Sequence, residues 1–215
     1  VEHNRRSMDW SSTQAGLFDS DGDGVPDASF SSLESFNNRK VNETVALPRF
    51  SLEYSPNEQH FTYLVLARGY KASGFNTYST TASAAGDAYH PEYGNYAELG
   101  YRYRAPSKTW EVGADVFYTR LRDQQVIVED GGGQTSTSNA GKSHNKGLEL
   151  TATVHPLPSV QVNAYAALLE AQFDDYTRGT VDYSGKQFPS TPKHSYGMSV
   201  DWAATDHISI GTGLT

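Results

Sequence analysis

The chain has 215 residues, no Cys, 17 Lys and Arg against 25 Asp and Glu, and a formal net charge of -8. A disulfide framework, a thiolate nucleophile and a thiolate metal site are therefore excluded. The acidic balance also argues against a nucleic-acid partner, which needs Lys and Arg gathered on one face.

Mean hydropathy is -0.60, and no segment offers the roughly 18 consecutive apolar residues of a membrane helix. A membrane is still open to the chain. In a barrel strand every second residue faces the lumen, so the average stays polar while one face stays greasy. Aromatic content is 12%, with 14 Tyr, which suits interfacial girdles better than a Leu-rich core. No charged-then-apolar leader stands at Val1-Glu2-His3, so the expectation is a processed chain or an internal piece.

Residues 1–44 are polar, with eight acidic against four basic side chains and no sustained period, and are predicted to form a long external loop with a strand end near Val1–Asn4. Inside it, Asp19, Asp21, Asp23 and Asp27 alternate with small residues, and Gly22 and Gly24 permit a tight wrap. Several carboxylates at such spacing are what hard Ca²⁺ takes as ligands. The EF-hand pattern fails because Phe30 stands where its Glu belongs, and an acidic solvated loop is the plainer alternative.

From residue 45 onward a two-residue apolar rhythm takes over. Arg49–Tyr54 supplies one strand; Phe61, Tyr63, Val65 and Ala67 alternate with Thr62, Leu64, Leu66 and Arg68 in the next. Leu99, Tyr101 and Tyr103 oppose Glu98, Gly100 and Arg102; Trp110, Val112, Ala114 and Val116 oppose Glu111, Gly113 and Asp115. The rhythm continues through Leu148–Val154, Val160–Leu168, Tyr196–Trp202 and Ile208–Thr212. Lengths of about nine to eleven residues match tilted membrane strands.

Connections alternate in size. Short turns are predicted at 55–58, 105–108, 155–158 and 204–206, and long polar loops at 69–93, 129–145 and 172–192. Hairpins short at one end and long at the other characterise a transmembrane barrel, with turns in the periplasm and loops outside the cell. Tyr54, Phe61, Tyr63, Tyr103, Trp110 and Trp202 gather beside the short turns, where one aromatic girdle belongs. The predicted fold is all-β: an antiparallel transmembrane β-barrel segment of about eight strands, forming an open curved sheet in residues 45–215. A soluble β-sandwich also alternates, but gives no reason to sort loops by end.

Leu47–Tyr54, Phe61–Asn76 and the pair Tyr89–Glu92 with Asn95–Gly100 resemble, in order, segments of TonB-dependent outer-membrane receptors of the ferric-siderophore type. Val116–Arg120 with Gln125-Val126, Asn139–Lys142, Lys146–Leu150, Phe173–Tyr176, Ser184–Lys186 and Pro192–His194 continue the resemblance through about residue 203. The resemblance implies a barrel of about 22 strands whose lumen holds an N-terminal plug. It also implies import of a ferric chelate or similar scarce nutrient with energy from the TonB system, and outer-membrane lipid as a further partner. No plug and no closing strand are recognisable in the sequence, so the expectation is a fragment of a longer receptor. A small eight-stranded barrel acting as an adhesin or structural protein is the alternative.

Arg68, Tyr70, Lys71, Phe75 and Asn76 are the candidate ligand residues, because cations and aromatic rings suit an anionic chelate or the plug. Gly69, Gly74 and Asn76 have a plainer reading as the shape of the strand exit. The seven His are scattered without metal-ligand spacing. No serine-elbow motif occurs, Gly131-Gly132-Gly133 lacks the Lys and helix of a phosphate loop, and no catalytic role is expected.

Overall fold

The computed structural model describes residues 1–18, 26, 28–77, 79, 82–129, 135–139, 141–178 and 180–215. In chain order these form β1 (Glu2–Phe18), β2 (Ala28–Val45), β3 (Arg49–Tyr54), β4 (His60–Lys71), β5 (Gly74–Phe75), α1 (Ala82–Gly86), β6 (Ala88–Tyr89), β7 (Glu92–Arg104) and β8 (Trp110–Arg122). There follow β9 (Gln125–Glu129), β10 (Thr135–Asn139), β11 (Lys142–Leu157), β12 (Val160–Asp175), β13 (Thr177–Arg178), β14 (Val181–Asp182), β15 (His194–Thr205) and β16 (Ile208–Leu214). Two units result. One contains Val1–Ala46, Tyr70–Glu92 and Asp123–Ala140, the other Leu47–Gly69, Tyr93–Arg122 and Gly141–Thr215.

The second unit is an eight-stranded antiparallel meander in the order β16-β15-β12-β11-β8-β7-β4-β3. The sheet does not close on itself, so β3 and β16 are edges whose unpaired backbone groups remain open to further strands. Short turns join one end. Asn57 Oδ1 accepts the N–H groups of Gln59 and His60 at 3.0 and 3.1 Å. In the β7–β8 turn the Lys108 N–H donates to Ala105 O at 2.8 Å, and Lys108 takes a φ of 59°. Pro158-Ser159 and Asp206-His207 make the other two turns.

Register and period agree across the sheet, so each face has one character. Leu99 pairs with Val116, Val116 with Leu148 and Leu148 with Leu168. One row nearer the turns, Ala114 pairs with Leu150 and Leu150 with Ala166. The reverse face pairs Gly100 with Asp115, Asp115 with Glu149, and Asn163 with Ser199. The apolar side chains stay open, with Leu99 50% and Leu150 45% exposed. Such a patch on every strand is far larger than water tolerates, whereas lipid makes it the favourable surface. The apolar face is the lipid face, and the polar face is the lumen.

Two expectations change. Tyr54, Tyr103, Trp110 and Trp202 do lie on the apolar face beside the short turns, and Tyr103 stacks on Trp110 with centroids 5.1 Å apart. Phe61 and Tyr63 are excluded from that girdle, because Tyr63 pairs with Glu53 and hydrogen-bonds lumenal carboxylates. Strand length also differs. β11 and β12 have 16 residues each, about 54 Å at the usual rise, beyond what a tilted crossing needs. Lys142–Asn145, predicted to be loop, are strand paired with β8. Past the bilayer both faces are wet, so the period fades while backbone pairing continues.

The first unit shows why residues 1–44 hide their structure. β1 and β2 form one antiparallel hairpin, paired from Glu2–Val45 to Phe18–Ala28, in place of the expected long external loop with a strand end only near Val1–Asn4. The register shifts between Met8 and Trp10. There Asn38 adopts a φ of 61° and donates its N–H to Asp9 Oδ1 at 2.6 Å. Trp10 stacks on Phe36 at 5.8 Å. With most side chains exposed on both faces, nothing demands alternation.

Candidate functional site

On the lumenal face, β4, β7 and β8 build a polar network in which every partner is supplied by the sheet. Arg102 grips Asp115 with two parallel bonds, Nη1 to Oδ1 at 2.8 Å and Nη2 to Oδ2 at 2.7 Å. This fork geometry is the strong form of the ion pair. Tyr63 reaches the same Oδ1 at 2.8 Å and Glu98 Oε1 at 2.6 Å, while Tyr96 donates to the other Glu98 oxygen. Gly100 and Gly113 make the seats: a Cβ on Gly100 would stand 2.1 Å from the Tyr63 ring, and one on Gly113 2.7 Å from Arg102 Cδ. Nearer the turns, Arg104 pairs with Glu111 at 2.6 Å. The residue types were visible in the sequence, but their meeting was not, since Tyr63 and Asp115 lie 52 positions apart.

In the first unit, three amide side chains tie together the segments 70–92 and 123–140. Asn76 donates to Thr137 O at 3.1 Å and accepts the Thr137 N–H at 2.7 Å. Gln125 Nε2 donates to Ala72 O and His90 O at 2.9 and 3.0 Å, with Lys71 O at 3.4 Å, and its N–H goes to Glu92 at 2.8 Å. Asn139 accepts the His90 N–H at 2.8 Å and donates to His90 O and Asp123 O at 2.9 and 2.6 Å. A planar amide offers donor and acceptor in one rigid group, so it can mimic a neighbouring strand where none exists. Glu43 and Glu34 add acceptors for the N–H groups of Ser73 and Ala82, at 3.2 and 2.6 Å.

The candidate ligand residues divide between the units. Tyr70, Lys71, Phe75 and Asn76 belong to the first, where Tyr70 donates to Glu2 at 3.4 Å, Phe75 pairs with Ala88, and both ends of the Asn76 amide hold Thr137. Arg68 belongs to the second unit, with its guanidinium 4.9 Å above the Tyr93 ring. Tyr93 alternates with Tyr96 and Glu98, which places the Arg68–Tyr93 pair on the lipid side of the sheet. Asp19, Asp21, Asp23 and Asp27 lie outside the described residues. Among the described residues no group of three or more His, Asp or Glu is arranged for a metal ion.

The end of β12 and the segment after it carry a cluster that their polar composition conceals. Phe173 lies 4.8 Å from Tyr176 and 4.6 Å from Phe188, and Tyr176 stacks on Tyr183 at 5.5 Å. Backbone bonds from Gly185 and Phe188 to Phe173 O and Ala171 O, 2.7 and 3.0 Å, fold it back on the strand. The Ser184 hydroxyl and backbone N–H hold the Asp182 carboxyl below the usual carboxylate range. The only sequence signal was four rings within 16 residues of otherwise polar chain.

Comparison with known proteins agrees with this architecture. The family model described as TonB dependent receptor-like, beta-barrel matches residues 6–214. The pesticin receptor of Yersinia enterocolitica is 32% identical over 162 residues, covering 75% of this chain and 23% of that protein. The catecholate siderophore receptor Fiu of Escherichia coli K12 is 24% identical over 165 residues, 74% of this chain and 21% of that protein. Among solved structures, the ferric yersiniabactin uptake receptor FyuA from Yersinia pestis superposes with a TM-score of 0.60 at 24% identity, over 84% of this chain and 26% of that one. The siderophore receptor PirA from Pseudomonas aeruginosa gives 0.59 at 14% identity, over 98% and 36%. The chain thus spans under a quarter of the curated relatives' length, and it belongs to the TonB-dependent receptor β-barrel family.

Proposed function

We propose that this chain is part of the barrel of an outer-membrane receptor that imports a ferric siderophore with energy delivered by the TonB system. The observation that carries the reading is the membership of a receptor family, 32% identity to a pesticin receptor included. The sorted sheet supports it: an apolar lipid face, a polar lumenal face, and two edges that further strands can continue. The adhesin alternative is not favoured, because the relatives are a pesticin receptor and a catecholate siderophore receptor.

In this proposal the lumenal face meets a plug, and Glu98 and Glu149 offer it carboxylates. The segments held by Asn76, Gln125 and Asn139 form the outer surface that meets the chelate. Tyr70 and Lys71 supply a phenol and an ammonium to an anionic ligand, and Phe75 an aromatic ring. Asn76 acts by position, because its amide is engaged on Thr137. Deleting the full-length gene and measuring uptake of iron chelates under iron limitation tests the function. Loss of uptake of at least one chelate, restored by the gene, is the expected result. Unchanged uptake of every catecholate, hydroxamate, carboxylate and phenolate chelate overturns it.

A further inference from the structure

The lipid face of β4, β7 and β8 ends, away from the short turns, in a groove whose floor is apolar and whose rim is cationic. Phe50, Leu66 and Ala97 line the floor, Tyr118 marks the boundary, and Arg68, Arg120 and Arg122 follow. Pairing of Asn95 with Arg120 and of Tyr93 with Arg122 places both arginines on the face that carries Leu99 and Val116. All three guanidinium groups belong to exposed residues. The groove lining contains no carboxylate.

The next two strands treat their cation differently. At the same height, Lys146 meets Glu170 at 2.9 Å, and the His144 ring is hydrogen-bonded to Asp174 at 2.6 Å. Among the described residues no ion pair reaches Arg68, Arg120 or Arg122. Three like charges brought together without a counter-charge repel one another, and in the absence of an anion they gain nothing from sharing a groove. The bilayer supplies one at this level. Hydrocarbon ends where the apolar rows give way to Tyr118, and just beyond it lie headgroups and their phosphates. Arg is the side chain suited to phosphate, through its two-pronged donor geometry.

We infer that Arg68, Arg120 and Arg122 hold the phosphate of an outer-leaflet lipid whose acyl chain lies along Phe50, Leu66 and Ala97. The site rests on the barrel reading and not on the transported substrate. It also turns Arg68 away from the chelate and toward the membrane.

The test uses the full-length receptor in phosphatidylcholine discs doped with diphosphoryl lipid A, with retained lipid counted by native mass spectrometry. Dephosphorylated lipid A and inorganic phosphate are the other two probes. Heat-modifiable migration on SDS gels establishes separately that the barrel is folded. The expected result is retention of the diphosphoryl lipid about tenfold above the dephosphorylated form. That preference is lost in the R68Q/R120Q/R122Q variant and kept in the lumenal variant R104Q. Equal retention of the two lipids by the unaltered receptor overturns the inference, and this arm stands even where the triple variant fails to fold. Unchanged preference in a folded triple variant overturns it as well. Displacement of the lipid by equimolar inorganic phosphate assigns the arginines to a free anion and also overturns it.

Discussion

Asn76 clasps Thr137 from both sides, giving its amide N–H to the Thr137 carbonyl and taking the Thr137 N–H in return, across 61 residues of chain. Gln125 and Asn139 repeat the device at Ala72, His90 and Asp123. Short strands and a short helix from distant parts of the chain are thereby made into one surface. A ligand that meets such a surface finds its contacts already ordered, and less affinity is lost to ordering on binding.

The amide knit predicts a ranking. In Gln125→Ala the Ala72 carbonyl loses its donor and the His90 carbonyl keeps only Asn139, at about 1 kcal/mol per lost bond. Gln125→Glu is worse, because it sets a carboxylate against those carbonyls. Hydrogen exchange in the full-length receptor should quicken over Gln125–Glu129 and Thr135–Asn139 in the order unaltered, Gln125→Ala, Gln125→Glu. Exchange in Gln125→Ala equal to that of the unaltered receptor would show that the donor is idle.

Gly100 predicts a steric effect with a partner. Alanine there sets its Cβ 2.1 Å from the Tyr63 ring, and such overpacking costs about 1–3 kcal/mol. Gly100→Ala should lower the temperature at which the full-length barrel loses its heat-modifiable band. Combining it with Tyr63→Ala should cost less than the two changes added, since the ring's share of the clash goes and only Asp115 Oδ1, 2.4 Å from that Cβ, remains. Strict additivity would separate the two residues and refute the seat.

The assignment of faces is tested by neighbours in one strand. Leu150→Arg puts a charge into hydrocarbon near the middle of the apolar band and should destabilise by about 2–4 kcal/mol. Thr151→Arg, on the lumenal face, should cost much less. Denaturant unfolding in lipid vesicles measures both, and the opposite order would exchange lipid and lumen.

Orientation follows from the turns. The native chain has no Cys, so single cysteines report cleanly. In intact cells a membrane-impermeant maleimide should label Ser136→Cys, in the β9–β10 hairpin, and spare Ser107→Cys, in the β7–β8 turn. Labelling of the second alone would invert the topology.

Much of the sheet was legible in the sequence, because a strand between lipid and lumen must alternate and the tight turns of Asn57 and Pro106 interrupt the rhythm visibly. The period alone fixed neither side at β4, where Phe61-Tyr63-Val65 and Leu64-Leu66 are both apolar. Only Glu98 and Asp115, reached through the register of neighbouring strands, draw Tyr63 into the lumen. The hairpin of residues 2–45 was illegible for the converse reason: with water on both sides, backbone pairing makes no demand on side-chain pattern. The composition by itself ruled out thiol chemistry and favoured strands over a membrane helix. The tertiary structure alone decided which arginines are paired and which are left facing the membrane, because an ion pair depends on register across strands, and register is a property of the sheet.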